Sequence, residues 1–261
     1  MQSITGLILA AGQGKRMGSP LPKVLHLVGT TPMVEYVRSA LQQAGIQRIA
    51  LVIGPETMPF QPFLAQHPEV EACIQSERNG TAGAVASFAC LFPGVQSSAY
   101  APPALYRGTP ATSAYVVICN GDMPGVSSDT LQEFLQTAQE KDADLALLGF
   151  SPPSPYGYGR ILCGPDGRFQ RIVEEKDASP EEKTQRLCNT GIVFARTQVL
   201  FSLLAKLQNH NAQQEFYLTD CFALAVTENY RVCAVASPLW KPFLGVNTQE
   251  QLEEIRTYLK S

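Results

Sequence analysis

Residues 9–26 read LAAGQGKRMGSPLPKVLH, and they begin at the end of an apolar run that predicts a strand at Thr5–Ala10. A glycine-rich loop at the end of a buried strand offers backbone N–H groups to a phosphate. Two cations, Arg16 and Lys23, stand in the same loop. The loop is not a dinucleotide fingerprint, because Met17 occupies the position of the third glycine, and it contains no GxxxxGK[ST] phosphate loop. The pattern favours phosphate binding over the alternative, a glycine-rich turn with solvated basic residues.

Short apolar runs alternate with amphipathic segments along most of the remaining chain. We predict further strands at Arg48–Ile53, Val70–Ile74, Tyr115–Cys119, Leu145–Phe150 and Asn189–Phe194, and helices at Met33–Ala44, Met58–Gln66, Gly80–Leu91, Ser128–Lys141 and Thr248–Leu259, with Gly45 ending the first helix and Ser128 capping the fourth. This alternation predicts a Rossmann-like α/β fold, in which a mostly parallel sheet carries helices on both faces. The active site of such a sheet lies beyond the carboxyl ends of its strands, at a switch in strand order.

The pattern changes after Phe150, where a proline-rich break begins. Apolar runs at Arg160–Cys163 and Phe169–Val173 flank a Gly-Pro-Asp-Gly turn and predict an inserted β-hairpin, which we expect to cover a substrate. Residues 93–114 are rich in Pro, Ala and Ser without periodicity, and they predict an exposed loop. We expect one domain over residues 1–261.

Composition limits the functional class. Hydrophobic residues make up 45% of the chain and charged residues 16%, which is enough apolar sequence for a sizeable core and excludes a disordered chain. The formal net charge is −3, so no basic excess indicates nucleic acid as a partner. The seven cysteines form no CxxC pair, which favours reduced thiols over a disulfide framework or a zinc site. The sequence has neither a signal peptide pattern nor a membrane span, and we expect a cytoplasmic protein.

Several later segments occur in the order typical of one enzyme family. They are Gln75 ahead of Gly80-Thr81-Ala82, Gly121-Asp122, Tyr158–Ile161, Ile172–Ala178, Asn189–Gly191, Asn211–Gln213, Glu215–Asp220 and Gly245–Asn247. Together with residues 9–26, they make the chain resemble the sugar-1-phosphate nucleotidyltransferases from Gly6 to Asn247. The ending Pro22–His26 resembles the uridyltransferase domain of bacterial GlmU proteins.

The resemblance implies a Mg²⁺-dependent reaction in which UTP and N-acetylglucosamine-1-phosphate give pyrophosphate and UDP-N-acetylglucosamine, a precursor of peptidoglycan. It also divides the chain into a nucleotide-binding part at about 1–150, a sugar-binding part at 151–247 and a C-terminal helix at 248–261. Partners other than these substrates are not implied, and the oligomeric state is not predicted.

The resemblance assigns roles to individual residues. It implies that Arg16 and Lys23 are catalytic residues, which clamp the triphosphate and neutralise the leaving pyrophosphate, and that Asp122 and Asn247 are the Mg²⁺ ligands. It implies substrate contacts at Ala10, Ala11, Gly12, Gln75, Gly80 and Thr81 for the nucleotide, and at Asn120, Gly159, Glu174, Asn189, Tyr217 and Thr219 for the sugar. Leu9, Gly14 and Gly121 are implied as further substrate-binding residues. The residue types alone leave plainer interpretations open: a turn for Asp122, a helix N-cap for Asn247 and for Thr81, and a core position for Tyr217.

The sequence also departs from the family pattern. Asn120 stands where close relatives carry Tyr, Gly83 stands where a His is usual, and Lys15 replaces a small hydroxyl residue. These departures leave open another sugar-1-phosphate, such as glucose-1-phosphate. GlmU proteins continue into hexapeptide repeats that carry an acetyltransferase; no hexapeptide period occurs here, and we expect no such activity from this chain.

Two other functional classes are weighed against this interpretation. A non-catalytic regulatory subunit that binds nucleotide sugars would be favoured by loss of the clamp and metal positions, all of which are present. A glycosyltransferase would be expected to carry a DxD-type metal motif, whereas Asn120-Gly121-Asp122 has only the second carboxylate.

Overall fold

A mixed β-sheet forms the centre of the computed structural model, which describes residues 3–98, 100, 104–109 and 112–259. Its strands are β1 Ile4–Leu9, β4 Arg48–Ile53, β5 Glu71–Ile74, β6 Ala104–Arg107, β7 Tyr115–Asn120, β8 Leu145–Phe150, β9 Arg160–Cys163, β10 Phe169–Val173, β11 Cys188–Arg196 and β12 Val232–Ala236; β2 Leu27–Val28 and β3 Thr31–Pro32 pair separately. The α-helices are α1 Met33–Gln43, α2 Gln61–Gln66, α3 Thr81–Ala86, α4 Ser128–Glu140, α5 Thr197–Leu204, α6 Asp220–Thr227 and α7 Gln249–Tyr258. A bilayer-spanning helix is not found among the described residues.

The strand order places the first strand in the middle of the sheet. The order is β10-β9-β11-β7-β1-β4-β5-β6, and β8 joins β11 and β12 beside it. β1 is parallel to both β4 and β7, and β4 is parallel to β5, so the centre is a parallel sheet. The chain leaves β1 toward β4 and later returns to β7 on the other side. The switch in strand order therefore lies at the carboxyl end of β1, where the glycine-rich loop begins.

The sheet separates two apolar cores, which confirms the predicted α/β fold. Leu7 packs in one core and its neighbour Ile8 in the other, because successive side chains of a strand point to opposite faces. Helices α1, α2 and α4 contribute to the first face through Val37, Phe63 and Phe134. Helices α3, α5 and α6 contribute to the second face through Val85, Leu200 and Phe222.

The prediction of one unbroken loop at 93–114 is wrong. Strand β6 lies inside this stretch and pairs antiparallel with β5 at the sheet edge. The pairing is supported by the Arg107 guanidinium, which donates to the carbonyl oxygens of Val70 at 2.9 Å and Leu64 at 3.0 Å. The neighbouring positions 99, 101–103, 110 and 111 lie outside the described residues.

The predicted hairpin has the predicted bounds, since β9 and β10 pair antiparallel over those residues. It is not separate from the sheet, however, because Arg160 of β9 pairs with Cys188 of β11. β11 itself is longer than predicted and has an irregular register between Asn189 and Val193. Helices α5 and α6 and strand β12 were not predicted.

The observed helix ends agree with the predicted ones in part. Gly45 has φ +95 and follows α1, as predicted. The predicted cap Ser128 is wrong by one residue, because the Ser127 hydroxyl accepts the Thr130 N–H at 3.2 Å. The predicted helix Gly80–Leu91 consists of α3 and a following 3₁₀ turn, Ser87–Leu91.

Candidate active site

A cleft runs past the carboxyl ends of β5, β1 and β7 and the amino end of the antiparallel strand β11. Two adjoining cavities of about 290 and 230 Å³ form it, and both are lined by Leu9, Thr81, Asn120 and Asp122. The first also contains Ala11, Gly12, Lys23, Gln75 and Gly80 of the predicted nucleotide site. The second also contains Gly159, Glu174, Asn189, Thr219 and Asn247. Ala10 lines a third cavity of about 260 Å³ behind the glycine loop, whereas Gly14, Arg16, Gly121 and Tyr217 line none of the three.

The glycine loop folds back so that Lys23 faces the cleft. Gly14 has φ +63, and a Cβ built on it would lie 2.8 Å from the Cβ of Lys23. Lys23 begins a 3₁₀ turn whose next residues, Val24 and Leu25, are buried. Gly14 therefore supports Lys23 by close packing, and the two buried side chains anchor the turn that presents its ammonium group.

The predicted clamp and metal positions converge on one point. The Lys23 ammonium donates to a carboxylate oxygen of Asp122 and, at 3.0 Å, to the side-chain oxygen of Asn247. The Arg16 guanidinium donates to the same Asn247 oxygen at 3.1 Å. These residues come from distant parts of the chain: the glycine loop, the end of β7 and the turn before α7.

The turn before α7 leaves the Asn247 side chain available. Thr248, not Asn247, caps α7 and forms a reciprocal capping box with Gln251. The Gln251 side chain also accepts the backbone N–H of Asn247 at 2.7 Å. Asn247 thus lies one residue before the cap, and the predicted N-cap alternative for it is wrong.

The oxygen atoms of Asp122 and Asn247 fit a magnesium ion chemically. Both lie within hydrogen-bonding distance of one ammonium nitrogen, so they already converge on a single cation. Mg²⁺ prefers hard oxygen ligands and usually takes only one or two from the protein, with phosphate and water completing its shell. A carboxylate and an amide oxygen meet that requirement.

The turn at Gly80 is built from backbone contacts with the segment before α6. The N–H of Ala82 donates to the Phe216 carbonyl at 2.9 Å, and the N–H of Leu218 donates to the Thr81 hydroxyl at 3.0 Å. The buried Gln75 amide donates to the Gly80 carbonyl at 3.1 Å. Thr81 is therefore no side-chain cap, and Gln75 supports the turn while it lines the nucleotide side of the cleft.

The neighbouring side chain explains the unusual Gly83. A Cβ on Gly83 would lie 1.8 Å from the Asn79 side-chain oxygen, so the Asn79 amide occupies that space. The same oxygen accepts from Gln75 at 3.2 Å. Asn79 and Gly83 thus form a matched pair behind Gln75.

Sequence reasoning missed Arg78, which lines two of the cavities. Its Nε donates to the Ala11 carbonyl at 3.0 Å, and its guanidinium pairs with the Glu56 carboxylate. A Cβ on Gly54 would lie 2.4 Å from an Arg78 nitrogen, so this glycine makes room for the guanidinium. Arg78 therefore links the segments that follow β1, β4 and β5. No sequence motif marks it, since it is one polar residue in a polar turn.

The second cavity presents polar groups that suit a hydroxylated ligand. The Thr219 hydroxyl donates to a Glu174 carboxylate oxygen at 2.9 Å. Burial raises the pKa of Glu174, and the hydrogen bond from Thr219 opposes that shift. The Asn189 side-chain oxygen accepts the Gly191 N–H at 3.0 Å.

Two further positions shape the wall of this cavity. A Cβ on Gly191 would lie 2.3 Å from the Asn120 side-chain nitrogen, so Gly191, which sequence reasoning missed, admits Asn120. The Tyr217 hydroxyl is buried without a hydrogen-bond partner among the described residues, and burial raises the pKa of Tyr217 to about 12. Tyr217 lies beside the cleft rather than in its lining, which keeps the core interpretation of this residue open.

Comparison with known proteins supports the fold and identifies the family. Bifunctional GlmU proteins from Geobacter metallireducens and Aromatoleum aromaticum are 38% and 41% identical to this chain over 97% and 95% of its length. In both cases the chain spans 50% of the relative's length. A Bacillus anthracis chain assigned as a glucose-1-phosphate thymidylyltransferase, solved with sucrose, superposes with a TM-score of 0.77 at 18% identity, over 99% of this chain and 96% of that one, and shows the fold. Residues 6–215 match the model of the MobA-like NTP transferase domain, so the resemblance predicted from the glycine loop is confirmed and the chain belongs to that nucleotidyltransferase family.

Proposed function

We propose that this chain is a UDP-N-acetylglucosamine diphosphorylase, which joins UTP and N-acetylglucosamine-1-phosphate and releases pyrophosphate with the help of Mg²⁺. The observation that carries the proposal is the convergence of Lys23, Asp122 and Asn247 at the junction of two cavities. The GlmU relatives support the choice of substrates. The seven cysteines are free thiols, which supports the predicted cytoplasmic location.

The proposed chemistry requires alignment and charge neutralisation rather than a general base. The attacking group is a phosphate oxygen of the sugar-1-phosphate, which is already anionic and displaces pyrophosphate from the α-phosphorus of UTP. Arg16 and Lys23 neutralise the charge that grows on the leaving group. Asp122 and Asn247 would hold Mg²⁺, which would supply further positive charge next to the phosphates.

We place the two substrates at opposite ends of the cleft, and the lining of the two cavities supports this placement. The nucleotide lies against the Gly80 turn and the glycine loop, whose backbone groups contact uracil and ribose. The sugar lies beside Glu174 and Asn189, because a carboxylate and an amide offer acceptors and a donor to sugar hydroxyl and N-acetyl groups. The Asp122 position between them lies where the new phosphate linkage forms.

The test is pyrophosphate release with Mg²⁺ and UTP across a panel of sugar-1-phosphates, with CTP, dTTP and GTP as nucleotide controls. Selective turnover of N-acetylglucosamine-1-phosphate with UTP supports the proposal. Turnover of glucose-1-phosphate instead would contradict the sugar assignment and point to the Asn120 wall. No turnover with any pair would contradict the enzyme assignment and favour a regulatory nucleotide-sugar-binding protein.

Variants at the convergence point test the roles of single residues. Asp122→Asn and Lys23→Ala should each lower kcat by roughly a hundredfold or more, since each removes a charge that acts on the reacting phosphates. Matched controls are Asp166→Ala, in the exposed hairpin turn, and Lys206→Ala, in a surface ion pair with Glu228. Both controls should retain activity, so that a loss in the two cleft variants is specific to the cleft. Retained activity in Asp122→Asn would contradict the metal assignment.

A further inference from the structure

Two thiols outside the cleft contact each other. The Cys73 and Cys90 sulfur atoms lie 3.3 Å apart. Cys73 is buried on β5, and Cys90 is half-buried in the 3₁₀ turn Ser87–Leu91. The proposed reaction uses neither residue.

The surroundings make the two thiols chemically unequal. The hydrogen bond from Cys73 lowers the pKa of Cys90, whereas the same contact and burial raise the pKa of Cys73. Cys90 is also the more exposed of the two. Because the thiolate is the reactive form, Cys90 is the residue that an oxidant meets first and Cys73 is the thiol placed to resolve the product.

We propose that Cys73 and Cys90 are a peroxide-sensitive pair that forms a reversible disulfide, and that this bond weakens nucleotide binding. The Cys90 thiolate attacks one oxygen of hydrogen peroxide, which gives a sulfenic acid and hydroxide. The Cys73 sulfur then displaces the sulfenic oxygen, so the S–S bond forms and water leaves. Peroxide takes the two electrons, and a thiol reductant returns them.

The position of the pair connects it to the nucleotide side of the cleft. β5 runs from Cys73 directly into Gln75, while the Gly80 turn leads through α3 into the 3₁₀ turn of Cys90. A disulfide requires the sulfur atoms, now 3.3 Å apart, to approach to about 2.05 Å. The part of this approach that side-chain rotation does not supply draws the 3₁₀ turn and β5 toward each other. The segment that holds the Gln75–Gly80 hydrogen bond lies between β5 and the 3₁₀ turn. A change in the distance between β5 and the 3₁₀ turn therefore changes the geometry of this segment.

The bond itself is tested without any enzyme assay. The full chain is treated with hydrogen peroxide, blocked with N-ethylmaleimide and digested for mass spectrometry, with and without dithiothreitol. We expect two fewer alkylated thiols after oxidation, one peptide cross-linked through residues 73 and 90, and full recovery with dithiothreitol. Cys90→Ser should abolish the cross-link, and Cys163→Ser, which removes an exposed thiol on β9, should leave it unchanged. Oxidation of Cys163 or other thiols with no 73–90 cross-link overturns the proposal.

The effect on the cleft is read by calorimetric titration of UTP, and this part rests on the proposed function. We expect the Kd for UTP to rise at least threefold in the oxidised chain and in oxidised Cys163→Ser, to return with dithiothreitol, and to stay constant in Cys90→Ser. A cross-link that forms with no change in Kd overturns the coupling to the cleft. A reduced chain that does not bind UTP contradicts the proposed function, whereas the cross-link result stands independently of it.

Discussion

Replacing Gly80 by alanine tests directly whether the backbone contacts of the Gly80 turn constrain it. Gly80 has φ +109 and ψ 177, a backbone conformation that is essentially confined to glycine. A Cβ at this position would lie 2.4 Å from the Phe216 carbonyl oxygen and 2.9 Å from the Phe216 nitrogen. Both are backbone atoms, so no side-chain rotation relieves the contact, and the two segments must separate.

The cost follows from the strain and from the hydrogen bonds that the separation breaks. The backbone conformation alone costs about 1–3 kcal/mol for a residue with a side chain. Separation also breaks the hydrogen bonds from Ala82 N–H to Phe216 at 2.9 Å and from Phe216 N–H to Asn79 at 2.8 Å. Each is worth about 1 kcal/mol net, so we expect Gly80→Ala to lower the free energy of unfolding by about 3–5 kcal/mol.

The assay is urea unfolding, with Gly167→Ala as the matched control. Gly167 also has a positive φ, +75, but nothing lies within 4 Å of a Cβ built on it. The control should therefore lose only the conformational cost, about 1–2 kcal/mol. If the two variants differ by less than about 1 kcal/mol, then the close contact with Phe216 does not constrain the turn and the reasoning is refuted.

Three further predictions concern residues around the cleft. Arg78→Ala should raise the KM for UTP about tenfold, equivalent to about 1.4 kcal/mol, with little change in kcat, because the glycine loop loses its anchor; Arg168→Ala on the hairpin is the control, and an unchanged KM would contradict the role. Gly83→Ala should weaken UTP binding by displacing the Asn79 amide, and the double variant with Asn79→Ala should recover part of the loss; strictly additive effects in calorimetry would contradict the pairing. Glu174→Gln should raise the urea unfolding midpoint above that of the unsubstituted chain at neutral pH, and this difference should disappear at about pH 4. The sign follows because the raised pKa of Glu174 favours folding while the carboxyl group is protonated, and that contribution disappears as pH rises through the folded pKa; a midpoint difference that does not depend on pH would contradict it.

The parts of the fold that are local in sequence could be predicted. The bounds of β9 and β10 agree with the structure because a glycine turn and two alternating runs define a hairpin within a few residues. The buried strands β4 and β8 were equally clear, since each is a short continuous apolar run. Gly45 was recognisable because a glycine after a periodic segment commonly ends a helix.

The rest depends on contacts between distant segments, which no local pattern carries. β6 is a short segment in a proline-rich stretch, and its strand structure depends on pairing with β5. Asn247 and Thr248 are both good cap residues, and only the reciprocal bonding with Gln251 decides between them. The family resemblance supplied residue roles only within its motifs, and Arg78 lies in none of them. Its partners Ala11 and Glu56 lie at least 22 positions away, so no local pattern links them to Arg78.

The strand order also fixes a length. From Gln75 beyond β5 to Asn189 on β11, the cleft crosses β4, β1 and β7, so four inter-strand spacings separate its ends, about 19 Å in all. Those spacings are set by backbone hydrogen bonds and change very little with side-chain substitution. Under the proposed function, the sheet sets the distance between the two ends of the product: side chains at the two ends select the base and the sugar, while the backbone between them determines how far apart the two are held.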